Sequence, residues 1–210
     1  MGKIDFKKKF KNLYKSSSKK VGIVEVPKFN FLMIDGCGDP NTSQEYKDAI
    51  EALFSVSYKV KFMIKKQPKG LDYGVLPLEG LWWTEEMKDF SMGNKDIWKW
   101  TALIMQPEIV TTDLVNKAID MVKKKKDLSS LPKLRFESIE EGLVAQIMHI
   151  GPYIEEESTV EKLHKYIETN DYNKVGKHHE IYLNNPRRTK PENLKTIIRQ
   201  PIALKSKGTL

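Results

Sequence analysis

The sequence predicts an α+β protein built from two strand-helix-strand-strand units, related by a pseudo-twofold axis, whose antiparallel sheets form a central ligand cleft. Three observations carry this. Apolar residues recur at helical spacing in three stretches, separated by short runs with strand character. One strand ends at Gly36 and another at Gly151, and each is followed by a helix and then two strands. The last strand of each set closes on Gln-Pro, as Met105-Gln106-Pro107 and Arg199-Gln200-Pro201. Such a duplication leaves a groove between its halves, and small ligands favour junctions of that kind.

Strands are predicted over residues 21–27 and 29–34, broken by Gly36, Gly38, Asp39 and Pro40. Thr42 or Ser43 can cap the first helix, in which Tyr46, Ile50, Leu53, Val56, Val60 and Met63 recur every three or four residues. Pro68 and Gly70 end it. Strands follow at 80–84 and 98–106, the second stopped by Pro107, which cannot donate to a ladder. A second helix spans 111–126 with Leu114, Val115, Ala118, Ile119 and Val122 on one side, and its closing run Lys123 to Lys126 suits the negative end of a helix. Strands at 133–138 and 142–150 lead to a third helix with Val160, Leu163, Tyr166 and Ile167 inward. Strands at 178–183 and 195–201 complete the fold.

Of 210 residues, 40% are hydrophobic, enough for a packed core. The lone cysteine forbids an intrachain disulfide, and no secretion pattern or long uncharged apolar run is present, so the expectation is a soluble, reduced, cytoplasmic protein without membrane contact. The formal charge of +8 is concentrated in residues 1–20, where eight lysines face Asp5 alone. Nucleic-acid contact is therefore expected only there, and weak. The apolar residues Ile4, Phe6, Phe10 and Leu13 suit docking of this arm on the domain. The domain organisation read from the chain is a basic arm over 1–20 and one domain over 21–204, made of repeats at about 21–110 and 133–202 joined by the helix at 111–126.

Phosphate-loop, dinucleotide, zincin and hydrolase-elbow motifs are absent, and no cofactor is expected. Cys37 sits between glycines and reads as an inert turn thiol. His178 and His179 adjoin on a strand, point to opposite faces, and so do not share a metal.

The segment His178-His179-Glu180-Ile181-Tyr182-Leu183 is the most informative. Alternation puts His178, Glu180 and Tyr182 on one face and His179, Ile181 and Leu183 on the other, which is mostly core. A carboxylate between an imidazole and a phenol can hold a cation, accept a proton or orient water. Trp82 and Trp83 lie in the strand of the first repeat that matches it, and Trp98 and Trp100 share a face of the next. With Tyr73 and Tyr153 near turns, these aromatics suggest a walled pocket for a flat or cationic ligand. Because a one-residue slip swaps strand faces, Glu79 and Glu86 are kept as alternative acids, Glu79 the stronger.

The strings Leu78-Glu79-Gly80-Leu81-Trp82-Trp83, Trp98-Lys99-Trp100-Thr101, His149-Ile150-Gly151-Pro152-Tyr153 and His178-His179-Glu180-Ile181-Tyr182-Leu183, followed by Pro186-Arg187-Arg188, resemble the stand-alone GyrI-like small-molecule-binding family. The match runs from about Pro27 to Ile202. The resemblance implies the effector-binding fold, with a ligand cleft in which a central Glu meets cationic drugs. The Trp-Trp and His-Glu-Ile-Tyr patterns are similar to the subset that hydrolyses cyclopropane-bearing DNA-alkylating agents. On that likeness Glu180 and Tyr182 are catalytic, and Trp82, Trp83, Trp100, Glu79, Tyr153, His178 and Tyr73 contact the ligand. The alternative is a non-catalytic sensor or sequestering module for hydrophobic cations, without a DNA-binding domain.

Overall fold

The structure, a computed structural model, describes residues 2–85 and 95–205. Its helices are α1 (Phe6–Lys9), α2 (Lys11–Tyr14), α3 (Gln44–Lys65), α4 (Thr112–Lys123) and α5 (Glu157–Thr169). Its strands are β1 (Gly22–Val26), β2 (Phe29–Cys37), β3 (Leu78–Trp83), β4 (Lys99–Gln106), β5 (Arg135–Ile139), β6 (Gly142–Ile150), β7 (Tyr172–Lys174), β8 (His178–Tyr182) and β9 (Lys195–Leu204). The chain divides into two compact units, Met1–Phe10 with Phe29–Ile139, and Lys11–Lys28 with Glu140–Leu210. Among the described residues no helix is long and apolar enough to cross a membrane.

In the first unit the strands pair antiparallel in the order β3-β4-β2-β5. Ser43 caps α3, its hydroxyl accepting from the Tyr46 amide at 3.1 Å. The buried side of α3 carries Tyr46, Ala49, Leu53, Val56, Val60 and Ile64 and lies against β2 and β4. The turn after α3 needs Gly70, where a Cβ would stand 2.2 Å from the Ile64 carbonyl oxygen. Helix α4, capped by Thr111, buries Val115, Ala118 and Val122 and packs on α3. The first ten residues belong to this unit: Phe6 is buried with its ring edge-on to Tyr73 at 5.9 Å, and Phe10 meets Phe29 at 5.1 Å.

In the second unit the antiparallel order is β1-β6-β9-β8, with β7 on the far end of β9. Ala145, Ile147 and Ile198 of this sheet form one apolar core with Leu163 and Ile167 of α5. Residues 11–20 are tied to it by backbone: the Ser17 carbonyl accepts from the Met148 amide at 2.9 Å, and the Lys19 carbonyl from Lys162 Nζ at 2.8 Å.

The duplication is visible in register. Asn30 faces Gln106 with Gly36 six residues on; Ala145 faces Gln200 with Gly151 six residues on. The edge strands are exchanged relative to chain order, since β1 runs into β2 but pairs with β6, while β5 runs into β6 but pairs with β2. Local differences from the sequence reading have local causes. Gly36 lies inside β2 rather than ending it, because its missing side chain makes room for Trp100 on the adjacent strand. Strand β5 starts at Arg135 because Leu131–Lys133, with Pro132, form a 3-10 turn. Helix α4 stops at Lys123, three residues early. The three residues of β7 are too few to show alternation.

Candidate functional site

The second unit collects four of the residues singled out by sequence. Glu180 pairs with Ile198 across β8 and β9, and Ile198 lies in the core beneath α5, so His178, Glu180 and Tyr182 face the helix side of the sheet. Glu180 is only 6% exposed. Its Oε2 accepts from the Tyr182 hydroxyl at 2.6 Å, and its Oε1 lies 3.1 Å from His178 Nε2. Tyr153, in the turn that starts α5, stands edge-on to the Tyr182 ring with centroids 5.6 Å apart. Burial, with the charges of Glu156 and Glu180 added, pushes the Tyr153 phenol up to about 12, so it remains a proton donor. The carboxylate is thus fixed at both oxygens beside an aromatic pair. It can take a proton, orient water or face a cation.

The first unit collects the tryptophans. Trp82 and Trp100 are direct cross-strand partners on the α3 side of their sheet, both packed on Tyr46 with centroids at 5.6 and 5.0 Å. Trp98 closes on Trp82 at 5.5 Å. Two glycines admit these indoles: a Cβ on Gly36 would stand 2.2 Å from the Trp100 ring, and one on Gly80 2.7 Å from Trp82 Nε1. Both indole N–H groups are buried with no hydrogen-bond partner among the described residues. Glu79 and Trp83 lie on the opposite face of β3, Glu79 facing Leu103 and buried. Tyr73 lies outside β3 and packs on Phe6, and burial pushes its phenol up. Glu86 lies outside the described residues. Cys37 is exposed at the end of β2.

The opposite face of β8 holds a cluster that the sequence reading missed. His179, Arg199 and Gln146 form one row across β8, β9 and β6. Glu141 joins them: its Oε1 lies 2.9 Å from His179 Nδ1 and its Oε2 accepts from Arg199 Nη1 at 2.9 Å. Arg199 also donates to Gln146 Oε1 and to the Leu13 carbonyl, and Gln146 Nε2 donates to the Asn12 carbonyl. Burial alone would raise the Glu141 carboxyl, but the charges and hydrogen bonds of His179 and Arg199 hold it down at about 2. The signal available in sequence was Gln146 and Arg199, polar residues inside otherwise apolar strands. Among the described residues no group of three or more His, Cys, Asp or Glu could hold a metal ion.

Two strand-helix-strand-strand units in equivalent register, one with a buried carboxylate and the other with packed tryptophans on its helix-covered face, define a duplicated α+β domain. The chain belongs to the GyrI-like small molecule binding domain family, which matches residues 19–203. It is similar to an uncharacterized conserved protein from Listeria innocua, at 38% identity and a TM-score of 0.87, over 96% of this chain and 100% of that one. It is also similar to a hydrolase from Listeria innocua, at 38% identity and a TM-score of 0.84, with the same coverage. The fold also recurs in the EcmrR C-terminal domain, at 13% identity and a TM-score of 0.55, over 88% of this chain and 98% of that domain. No match is found among curated proteins.

Proposed function

We propose that this protein takes up planar electrophiles bearing a fused cyclopropane and opens that ring with water. The observation that carries this reading is the Glu180 carboxylate, buried on the α5 side and hydrogen-bonded to Tyr182 beside the Tyr153 ring. The likeness to a Listeria innocua hydrolase at 38% identity supports a hydrolytic step. The Trp-Trp and His-Glu-Ile-Tyr patterns support the substrate class.

In this reading water bonds to a cyclopropane carbon as Glu180 takes its proton. The strained carbon–carbon bond breaks, and its electron pair passes through the conjugated ring to the carbonyl oxygen, which takes the Tyr182 proton and becomes a phenol. The proton on Glu180 returns to Tyr182 along their 2.6 Å hydrogen bond, restoring both groups. His178, at the other carboxylate oxygen, keeps Glu180 from rotating. Stacking falls to the half-buried rings of Tyr153 and Tyr182, since Trp82 and Trp100 are packed against Tyr46. Ring opening consumes the alkylating carbon, which makes the reaction a detoxification in the cytoplasm. Reaction in isotopically labelled water tests it: one labelled oxygen should enter the product, and unlabelled or unchanged ligand would contradict it.

A second reading is binding without bond breaking. A buried carboxylate beside an edge-to-face tyrosine pair also suits a hydrophobic cation. Saturable uptake of a planar cation, with the electrophile returned intact, would select it.

A further inference from the structure

The outer side of α3, away from its buried face, carries Phe54, Tyr58 and Phe62 at four-residue steps. Tyr58 and Phe62 are each 48% exposed, and the Phe54 and Tyr58 rings lie 6.3 Å apart. Beside this stripe, Phe54, Tyr58 and Val122 line a groove between α3 and the end of α4, with a cavity volume of about 440 Å³. Its other walls are polar and mainly basic: Lys59 from α3, Lys125 and Lys126 from the chain beyond α4, with Glu51 and Ser55 of α3. Lys126 is paired with Glu51 at 2.9 Å, whereas Lys59 and Lys125 form no ion pair among the described residues.

From this we infer that the α3–α4 groove docks an acidic amphipathic helix of a partner protein. The stripe runs eight residue steps from Phe54 to Phe62, about 12 Å at 1.5 Å per step, which is the two turns over which a docked helix places its apolar anchors. The unpaired lysines select carboxylates along the flank of that helix. A second copy of this chain fits poorly, because it would bring lysines to lysines while the groove's one carboxylate, Glu51, is already held by Lys126.

The test uses the full chain and two fluorescein-labelled synthetic 18-residue helices with the same leucine stripe, one flanked by glutamates and one by lysines. Fluorescence anisotropy should show saturable, salt-sensitive binding of the acidic helix. Lys59→Glu with Lys125→Glu should weaken it about tenfold and admit the basic helix instead, and Tyr58→Ser should weaken it with unchanged thermal stability. Acidic-helix binding that ignores the charge reversal overturns the proposal, as does no binding. So does displacement by an oligothymidylate, which would make the groove a nucleic-acid site, or concentration-dependent dimerisation lost in Tyr58→Ser, which would make it a self-interface.

Discussion

The Tyr182 hydroxyl donates to Glu180 Oε2 at 2.6 Å, two residues along one strand and on one face of the sheet. Because neighbours at this spacing share a face, the pair is set by strand geometry alone. If Tyr182 returns a proton to the reacting carbonyl, Tyr182→Phe should lower turnover roughly 100-fold while ligand affinity changes little. Steady-state kinetics on the cyclopropane substrate checks this. An effect confined to KM would show that the hydroxyl only binds.

The row behind Glu180 should govern acid stability. Glu141 is held at about 2 against an ordinary 4.5, so its contribution is full above pH 4.5 and is lost as pH falls toward 2. That shift corresponds to roughly 3 kcal/mol at neutral pH. Urea unfolding of wild type and Glu141→Gln should differ by about this much at pH 7 and converge near pH 2. A gap equal at both pH values would contradict the ion network.

His164 offers a second pH signature. Burial, followed by the charges of Lys174 and His178, pulls its imidazole down to about 4. The native ring stays neutral while the unfolded ring charges below about 6.5, so its contribution is present above 6.5 and lost as pH falls to 4. In NMR titration of the folded protein the His164 ring protons should move near pH 4. A midpoint above 6 would place the ring in solvent.

Gly36 and Gly80 should tolerate no side chain. A methyl group on either meets Trp100 or Trp82 inside 3 Å, and the indoles cannot swing away because Tyr46 packs on both. Gly36→Ala and Gly80→Ala should each cost about 2–3 kcal/mol in urea unfolding and shift tryptophan emission. Substitution without loss of stability would mean that the indoles repack freely.

The element order was legible because its signals are local. Ser43 caps a helix as its type predicts, Pro107 follows the end of β4, and the alternation of His178, Glu180 and Tyr182 needs only strand geometry. What escaped depends on pairing between distant segments. The exchange of β1 and β5 is set by long-range register, which no local pattern encodes. Gly36 looked like a strand break because the reason for a glycine there is Trp100, 64 positions away. Glu141, in a turn, gave no hint that it closes on His179 and Arg199. The tryptophans were found as a group, but which of them face α3 depended on the pairing of Trp82 with Trp100.

The most direct measurement is product mass after incubating a planar cyclopropane-bearing alkylator with wild type and with Glu180→Gln at equal ligand saturation. A ring-opened product heavier by one water, formed by wild type and not by Glu180→Gln, is the expected result. Equal product from both proteins would remove Glu180 from the chemistry, and intact ligand from both would leave a binding protein without catalysis.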